Sequence, residues 1–309
     1  MERDNPAMNY VNSGEEMVVH RKTNVHLKEK VMGGLFFSAA LISVAAVLLI
    51  CLFLFINGVP AIKEIGFFDF VANAKWAPMD VPASYGILSM IVGSLYVTAG
   101  AVLIGVPIGI MCAVFLAYFC PKRLYRVLKP AVDLLAGIPS IIYGFFGMQV
   151  IVPLVRDTFG GSGYSIMAAS ILLGIMMLPT VITISESSLR VVPKPYYEGA
   201  LALGATHEEG VFNVMVPSAK SGILTSVILG IGRVIGETMA VIMVAGNAVM
   251  PLDKINVLKP IRTLTANIVT EMSYSEGLHT QALISTGVVL FVFILLLNLA
   301  LSVMKSRRE

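Results

Sequence analysis

The sequence predicts an all-α, polytopic membrane protein with about six transmembrane helices. Of its 309 residues, 57% are hydrophobic and only 13% are charged, whereas about a quarter of the residues in a soluble globular domain are charged. The mean hydropathy is +0.84, which indicates that lipid rather than a protein core covers most of the apolar surface. Both observations argue against a water-soluble fold.

Six apolar runs are long enough to cross a bilayer. The hydrocarbon core requires about 20 helical residues, because each residue rises about 1.5 Å and the backbone must satisfy its own hydrogen bonds. The first run is too long to be the apolar part of a cleavable signal peptide, so we expect it to remain in the membrane. The predicted spans are residues 31–56, 87–120, 134–155, 164–185, 221–250 and 280–304.

Lysine and arginine residues predict the orientation of these spans, since cytoplasmic loops carry the positive excess. With both termini inside, the inner segments hold fifteen of the 22 Lys and Arg residues and the outer loops hold six. We therefore expect both termini to be cytoplasmic. The predicted organisation is a cytoplasmic tail (1–30), a first helix with an outer loop (31–86), a transmembrane domain (87–304) containing a cytoplasmic loop (190–220), and a C-terminal tail (305–309).

No pattern of an enzyme or of a metal site occurs in the sequence. The three cysteines, Cys51, Cys112 and Cys120, lie in or beside apolar runs and lack metal-ligand or redox spacing. His207 and His279 have no histidine or cysteine cluster around them, so no metal is expected. The HExxH, GxSxG and GxxxxGK[ST] motifs are absent. We expect no catalytic residue and no cofactor in this chain, which should not hydrolyse ATP by itself.

The loop between the fourth and fifth spans has the pattern of two short helices. Residues 197–204 place Tyr, Ala, Leu and Gly at the i, i+3, i+4 and i+7 positions of one helix face. Gly204 can adopt the left-handed conformation that ends a helix. Thr206 and Glu209 then have the spacing of a capping box, and the second helix should close at Pro217.

The same loop resembles the EAA loop of ABC importer permeases, whose pattern is E-A-A, three residues, G, nine residues and I-x-L-P. Residues 198–200 read EGA, Gly204 follows after three residues, and VMVP follows nine residues later. A glycine replaces the middle alanine, and valines replace isoleucine and leucine. In that family the loop docks into the ATPase subunit. The resemblance therefore implies ATPase-coupling roles for Glu198, Gly199, Ala200, Gly204 and Pro217.

Two further stretches resemble the permeases of phosphate importers. Residues 135–140 read LAGIPS and are followed by Tyr143-Gly144, and residues 232–238 read GRVIGET, similar to a GRxxGET signature. Two other stretches are more similar to the PstC type of permease than to the PstA type. They are the residues that follow GRVIGET, up to Gly246-Asn247, and the outer-loop residues Trp76-Ala77-Pro78. The resemblance runs from about residue 50 to the C-terminus and implies a type I ABC importer permease (MetI-like) fold in the inner membrane.

The resemblance also implies partners. A PstA-like second permease would complete the pathway, although a second copy of this chain is the alternative. A PstB-like ATPase dimer would bind ATP and Mg, and a PstS-like periplasmic protein would deliver phosphate to the outer loops, residues 57–86 and 251–279. Membrane lipid is expected as a partner and nucleic acid is not. The alternative functions are a permease for molybdate or sulfate and, less in keeping with the EAA pattern, an ion-coupled secondary transporter.

Arg233 and Glu237 are the charged residues inside the predicted fifth span, near the bilayer midplane. Because an ionised group there costs several kcal/mol, we expect both to face protein or water. At positions i and i+4 of one helix they can pair, and a purely structural ion pair is one interpretation. The alternative is a substrate pathway formed by Arg233, Glu237 and Thr238, since a guanidinium group suits phosphate.

Two other charged residues, Asp133 and Glu186, lie at predicted helix ends near Lys129 and Arg190. We expect both carboxylates to be solvated at the membrane interface.

Overall fold

The protein is described here from a computed structural model. It describes the backbone of residues 7–306 and the side chains of residues 29–299, 302 and 303. The ends of the two predicted tails, residues 1–6 and 307–309, lie outside this range. The chain divides into two units, residues 1–56 and residues 57–309.

Four long helices in the described part of the chain are apolar enough to cross a membrane. They contain the first and sixth predicted spans, and the second and fourth apart from one or two terminal residues, so these four spans are confirmed as helical. The second helix continues as a π-helical turn, Phe115–Phe119. The four are α1 (Ala7–Ile65), α3 (Leu88–Val114), α7 (Ile166–Val191) and α14 (Leu278–Ser306).

Two further helix pairs are bent, and the number of spans reaches six if each pair counts as one span. The first pair bends by 99° between Gly137 and Ser140, and the second by 67° next to Ala219. The first pair consists of α4 (Lys122–Gly137), α5 (Ser140–Phe146), the π-helical turn Gly147–Ile151 and α6 (Val152–Phe159). The second consists of α9 (His207–Glu209), the π-helical turn Gly210–Met215, α10 (Val216–Ser218) and α11 (Lys220–Ile235).

The prediction of a single helix over the third span, residues 134–155, is wrong. Its first residues belong to α4, and Ile138 and Pro139 are extended with ψ angles of 126° and 141°. Proline disfavours the α conformation of the preceding residue and supplies no N–H for a helical hydrogen bond. We call residues 138–139 the LAGIPS break.

The predicted fifth span, residues 221–250, is also wrong as a continuous helix. The helix α11 ends at Ile235, a turn follows, and the short helix α12 covers Met239–Val244. Beyond it, Gly246 and Asn247 have positive φ angles of 80° and 51°, which a helix cannot accommodate. We call residues 236–238 the GRxxGET break.

The helix α7 lies at the centre of the second unit and packs closely against α3 and α11. A Cβ atom at Gly105 of α3 would lie 2.5 Å from Met177, and one at Gly230 of α11 would lie 2.9 Å from the same side chain. Lipid supplies no hydrophobic drive for helix association, so close approach through small residues stabilises such contacts. The three helices therefore form the closely packed centre of the second unit.

The predicted outer loops contain ordered structure. A two-stranded antiparallel hairpin pairs Trp76 with Tyr85 and Ala77 with Ser84, and Gly246 forms an isolated parallel bridge with Ile261. These segments comprise α2 (Phe67–Val71), β1 (Trp76–Ala77), β2 (Ser84–Tyr85), a 3₁₀ turn (Leu252–Lys254) and α13 (Leu264–Glu271).

Candidate functional site: the EAA-like loop and two helix breaks

The EAA-like loop, residues 190–220, folds as two helical segments joined at a glycine. The first segment is α8 (Lys194–Ala202), and Gly204 follows with a φ angle of +90°. The Thr206 hydroxyl accepts a hydrogen bond from Glu209 N at 3.2 Å, and the Glu209 carboxylate accepts one from Thr206 N at 2.8 Å. The predicted glycine turn and capping box are both confirmed.

Side-chain contacts hold these two segments together. The Tyr197 hydroxyl and His207 Nδ1 are hydrogen-bonded at 2.6 Å. A Cβ atom at Gly210 would lie 3.2 Å from the Tyr197 ring, so glycine permits this approach. The Phe119 ring stacks edge-on against His207 with 4.8 Å between the centroids. The loop is therefore a compact body attached to the end of the α3 segment rather than a flexible connection.

The surface of this body is apolar at its tip. Four of the five predicted coupling residues are exposed, and Ala200 is half-buried. Leu203, which was not among the predicted residues, is 92% exposed beside Gly204. Burial of the Leu203 side chain in a contact would be favourable, because it would remove apolar surface from water. The exposed coupling residues are Glu198, Gly199, Gly204 and Pro217.

The GRxxGET break separates the two charges that were predicted to pair. Arg233 is exposed near the end of α11, and its Nη1 donates to Thr180 Oγ1 at 3.4 Å. Glu237 lies beyond the helix end, where its Oε1 accepts from the backbone N–H groups of Thr238 (3.2 Å) and Ala240 (3.3 Å). Among the described side chains, no ion pair joins Arg233 to Glu237, so the predicted pair is wrong.

The physical reason lies in the helix terminus. The first N–H groups of a helix have no partner within the helix, and a carboxylate satisfies them well. Once α11 ends, the two residues no longer share one helix face. Thr238 belongs to the same turn, where its hydroxyl donates to the Gly236 carbonyl at 3.3 Å. The pathway roles of Arg233, Glu237 and Thr238 remain predictions.

The two breaks adjoin each other through α5 and α12. A Cβ atom at Gly144 would lie 2.7 Å from Met243 Sδ and 3.0 Å from Ala240 Cα. The Tyr143 hydroxyl donates to the Leu135 carbonyl at 2.8 Å and so bridges the LAGIPS break. The tertiary structure therefore places both sequence signatures in one region, with the exposed Arg233 on the neighbouring α11.

A buried charge cluster near the end of α7 was missed by the sequence analysis. The Glu186 side chain is 3% exposed, and its Oε1 accepts hydrogen bonds from Tyr125 Oη and Arg190 Nε, each at 2.8 Å. Lys129 Nζ lies 3.4 Å from Glu186 Oε2 and 3.1 Å from Asp133 Oδ1. The expectation of a solvated carboxylate is confirmed for Asp133, which is 53% exposed, and is wrong for Glu186.

The sequence contains one signal that could have indicated this cluster. Glu186 and Arg190 are four residues apart on one helix, as are Tyr125 and Lys129 on another. Taken alone, neither pair indicates a buried cluster. Only the packing of α4 against α7 brings the two pairs together.

A second buried cluster joins the two predicted outer loops. Glu271 accepts hydrogen bonds from Trp76 Nε1 at 2.8 Å and from His279 Nε2 at 2.9 Å, and it forms a short ion pair with Arg262. Arg262 Nε also donates to the Asn247 carbonyl at 2.9 Å. The segment that follows the GRxxGET break is thereby fixed to both outer segments.

Comparison with known proteins identifies the family. Residues 105–308 match the family described as "Binding-protein-dependent transport system inner membrane component". The chain is 36% identical over 305 residues to the "Probable ABC transporter permease protein YqgH" of Bacillus subtilis, covering 96% of this chain and 97% of that protein. It is also 36% identical over 265 residues to the "Phosphate transport system permease protein PstC" of Mesorhizobium japonicum, covering 79% and 80%.

Solved structures of ABC importers share the fold. The MetNI methionine transporter in an inward-facing conformation matches with a TM-score of 0.56 and 21% identity, over 72% of this chain and 97% of that one. A bacterial alginate transporter, solved with its periplasmic protein, matches with a TM-score of 0.63 and 14% identity, over 88% and 94%. The predicted type I importer permease fold is confirmed. The chain is a multi-pass membrane protein that belongs to the family of binding-protein-dependent transport system inner membrane components, the permease subunits of ABC importers.

Proposed function

We propose that this chain forms half of the translocation pathway of an ATP-driven importer of inorganic phosphate. The observation that carries the proposal is the 36% identity over 265 residues to a protein named as a phosphate transport permease. A relative in Methanocaldococcus jannaschii with a similar name is also 36% identical, over 80% of this chain. The exposed guanidinium of Arg233, beside the two adjoining helix breaks, supplies a cation suited to an oxyanion.

The nucleotide is handled by partners in this proposal. A PstB-like ATPase dimer binds ATP and Mg, and the apolar tip around Leu203 and Gly204 docks into it. A PstA-like permease forms the other half of the pathway, and a PstS-like periplasmic protein delivers phosphate to the outer segments. The chain lies in the inner membrane, with both termini and the EAA-like loop on the cytoplasmic side. The excess of lysine and arginine in those segments supports this orientation.

The roles within the pathway follow from the geometry of the breaks. Arg233 attracts the anion, because its charge is permanent and its side chain is exposed. Glu237 holds the start of α12 in place by accepting two backbone hydrogen bonds. Arg233 and Glu237 therefore have separate roles instead of forming an ion pair. The carboxylate of Glu237 then does not compete with the anion for the guanidinium group of Arg233.

Purification of the native complex tests the proposal. We expect an ATPase, a second permease and a periplasmic binding protein to co-purify with the tagged chain. Proteoliposomes containing this complex should take up radiolabelled phosphate when ATP is supplied, and an excess of unlabelled sulfate or molybdate should not compete. Preferential uptake of sulfate or molybdate would identify that oxyanion as the substrate. Uptake without any ATPase would indicate a secondary transporter. A complex whose ATPase partner carries an inactivating substitution is the control.

A further inference from the structure

Glu186 is a buried carboxylate located five residues before the end of α7. With its side chain 3% exposed, it has little access to water. Removing an ionised carboxylate from water costs several kcal/mol unless charges and hydrogen bonds compensate. The compensation comes from Tyr125 and Arg190 at 2.8 Å and from Lys129 at 3.4 Å. A charged residue enclosed within a membrane protein is by default a candidate for a functional role.

Two of these three partners belong to another helix, α4. Tyr125 and Lys129 lie one turn apart on the face of α4 that meets α7. Arg190, on α7, stacks over the Tyr125 ring with 4.8 Å to the centroid. Its Nη2 also donates to the Leu116 carbonyl at 2.8 Å. The cluster therefore fastens the end of α7 to α4 and to the end of the α3 segment.

The two helices lead from this cluster to different functional regions. The helix α7 ends at Val191, and the first helix of the EAA-like loop begins three residues later, at Lys194. The helix α4 runs to Gly137, directly before the LAGIPS break. Beyond that break, α5 rests on α12 through Gly144. Glu186 thus lies between the proposed ATPase contact and the proposed pathway.

We propose that Glu186, through Tyr125 and Lys129, is a positioning residue that makes α4 follow the displacement of the EAA-like loop and so moves the LAGIPS break. This inference rests on the proposed function, because it requires an ATPase at the loop. Beside Glu186, the contact of α7 with α11 is formed by uncharged residues: Ser185 and Ser226 are hydrogen-bonded at 2.7 Å, and a Cβ atom at Gly222 would lie against Ser188. A change at Glu186 leaves that contact intact.

The first test is Glu186→Gln in the complete reconstituted complex. Glutamine keeps the size of the side chain and removes the charge. We expect the ATPase to co-purify as with the wild type, while ATP-dependent phosphate uptake falls by about tenfold, within the range of 5–150-fold typical of coupling between sites. Phosphate-loaded binding protein should no longer stimulate ATP hydrolysis. Asp133→Asn is the matched control, because Asp133 also pairs with Lys129 but is 53% exposed.

The second test measures the movement of α4 directly. Val127 lies on the exposed face of α4, so Val127→Cys is introduced into a chain in which Cys51, Cys112 and Cys120 are replaced by serine. We expect the rate of thiol labelling to differ between the nucleotide-free complex and the complex trapped with ATP and vanadate. With Glu186→Gln added, the two rates should become equal. A merely structural residue would not produce this equality.

Tyr125→Phe provides a variant that keeps every charge. It removes one hydrogen bond between α4 and Glu186 and should reduce both uptake and the labelling difference, even if Glu186→Gln does not assemble. The inference would be overturned if either variant assembles, couples ATP hydrolysis to phosphate uptake as well as the wild type does, and shows an unchanged labelling difference. The wild-type complex separates this outcome from failure of the proposed function. If the wild-type complex imports no phosphate, the proposed function is wrong. If it imports phosphate and the variants remain fully coupled, only the proposed role of Glu186 is wrong.

Discussion

At the residue scale, Arg233 is the position whose chemistry bears most directly on transport. We expect Arg233→Gln to reduce phosphate uptake by about tenfold to a hundredfold, because a hydrogen bond to a charged group contributes about 1.5–3 kcal/mol. Assembly should be unaffected, since the guanidinium is exposed and its described contact, with Thr180, is long at 3.4 Å. Initial uptake rates in proteoliposomes measure the effect.

The control for this prediction is Arg156→Gln, an exposed arginine paired with its neighbour Asp157 at 3.1 Å. It should change uptake by less than about twofold, as expected for a surface ion pair. The double variant Arg233→Gln with Glu237→Gln should assemble and stay inactive. Near-normal phosphate transport by the double variant would contradict the proposed role of Arg233.

At the scale of single elements, Gly204 sets the turn between the two helical segments of the EAA-like loop. Gly204→Val should strain the turn by about 1–2 kcal/mol, because an L-residue is disfavoured at its φ angle of +90°. The Leu203 tip should then be displaced, and we expect less ATPase to co-purify and uptake to fall. Gly160→Val is the matched control, since Gly160 has a φ angle of +78° and, like Gly204, open space around it. If both variants kept the ATPase equally well, the coupling role of the turn would be wrong.

The contact between α5 and α12 provides a second prediction at this scale. Gly144→Ala places a methyl group within 3.0 Å of the Ala240 backbone, so the two short helices must separate. Overpacking of this kind costs about 1–3 kcal/mol. We expect a lower unfolding temperature in detergent and reduced uptake. Gly137→Ala, where no atom lies within 4 Å of the added methyl group, should leave the unfolding temperature unchanged or slightly raised.

At the scale of the whole molecule, the orientation of the chain can be tested by accessibility. In a chain without native cysteines, Glu208→Cys in the EAA-like loop should react with a membrane-impermeant thiol reagent only after the cells are opened. Lys254→Cys, in the exposed 3₁₀ turn, should react in intact cells. The excess of lysine and arginine in the inner segments predicts this pattern. The reverse pattern would overturn the predicted topology.

The fold class, the four long spans and the EAA-like loop could be predicted from the sequence because they rest on local features. Apolar run length defines a span. The spacing of Thr206 and Glu209 defines a capping box, and a glycine at position 204 allows a positive φ angle. Local rules failed at the third and fifth spans, where the apolar runs continue through Pro139 and Gly236 although the helices do not.

The sequence by itself determined which runs are apolar and long enough to cross a membrane, the helical form of the EAA-like loop and the motifs that mark the family. Only the tertiary structure decided how the charges are partnered. Glu237 binds the backbone at the start of α12 instead of Arg233, because the first turn of a helix exposes N–H groups that a carboxylate satisfies. Glu186 meets Tyr125 and Lys129, some 60 residues away in the chain, because α4 folds back onto α7. Partners so distant along the chain are set by helix packing, which no local pattern encodes.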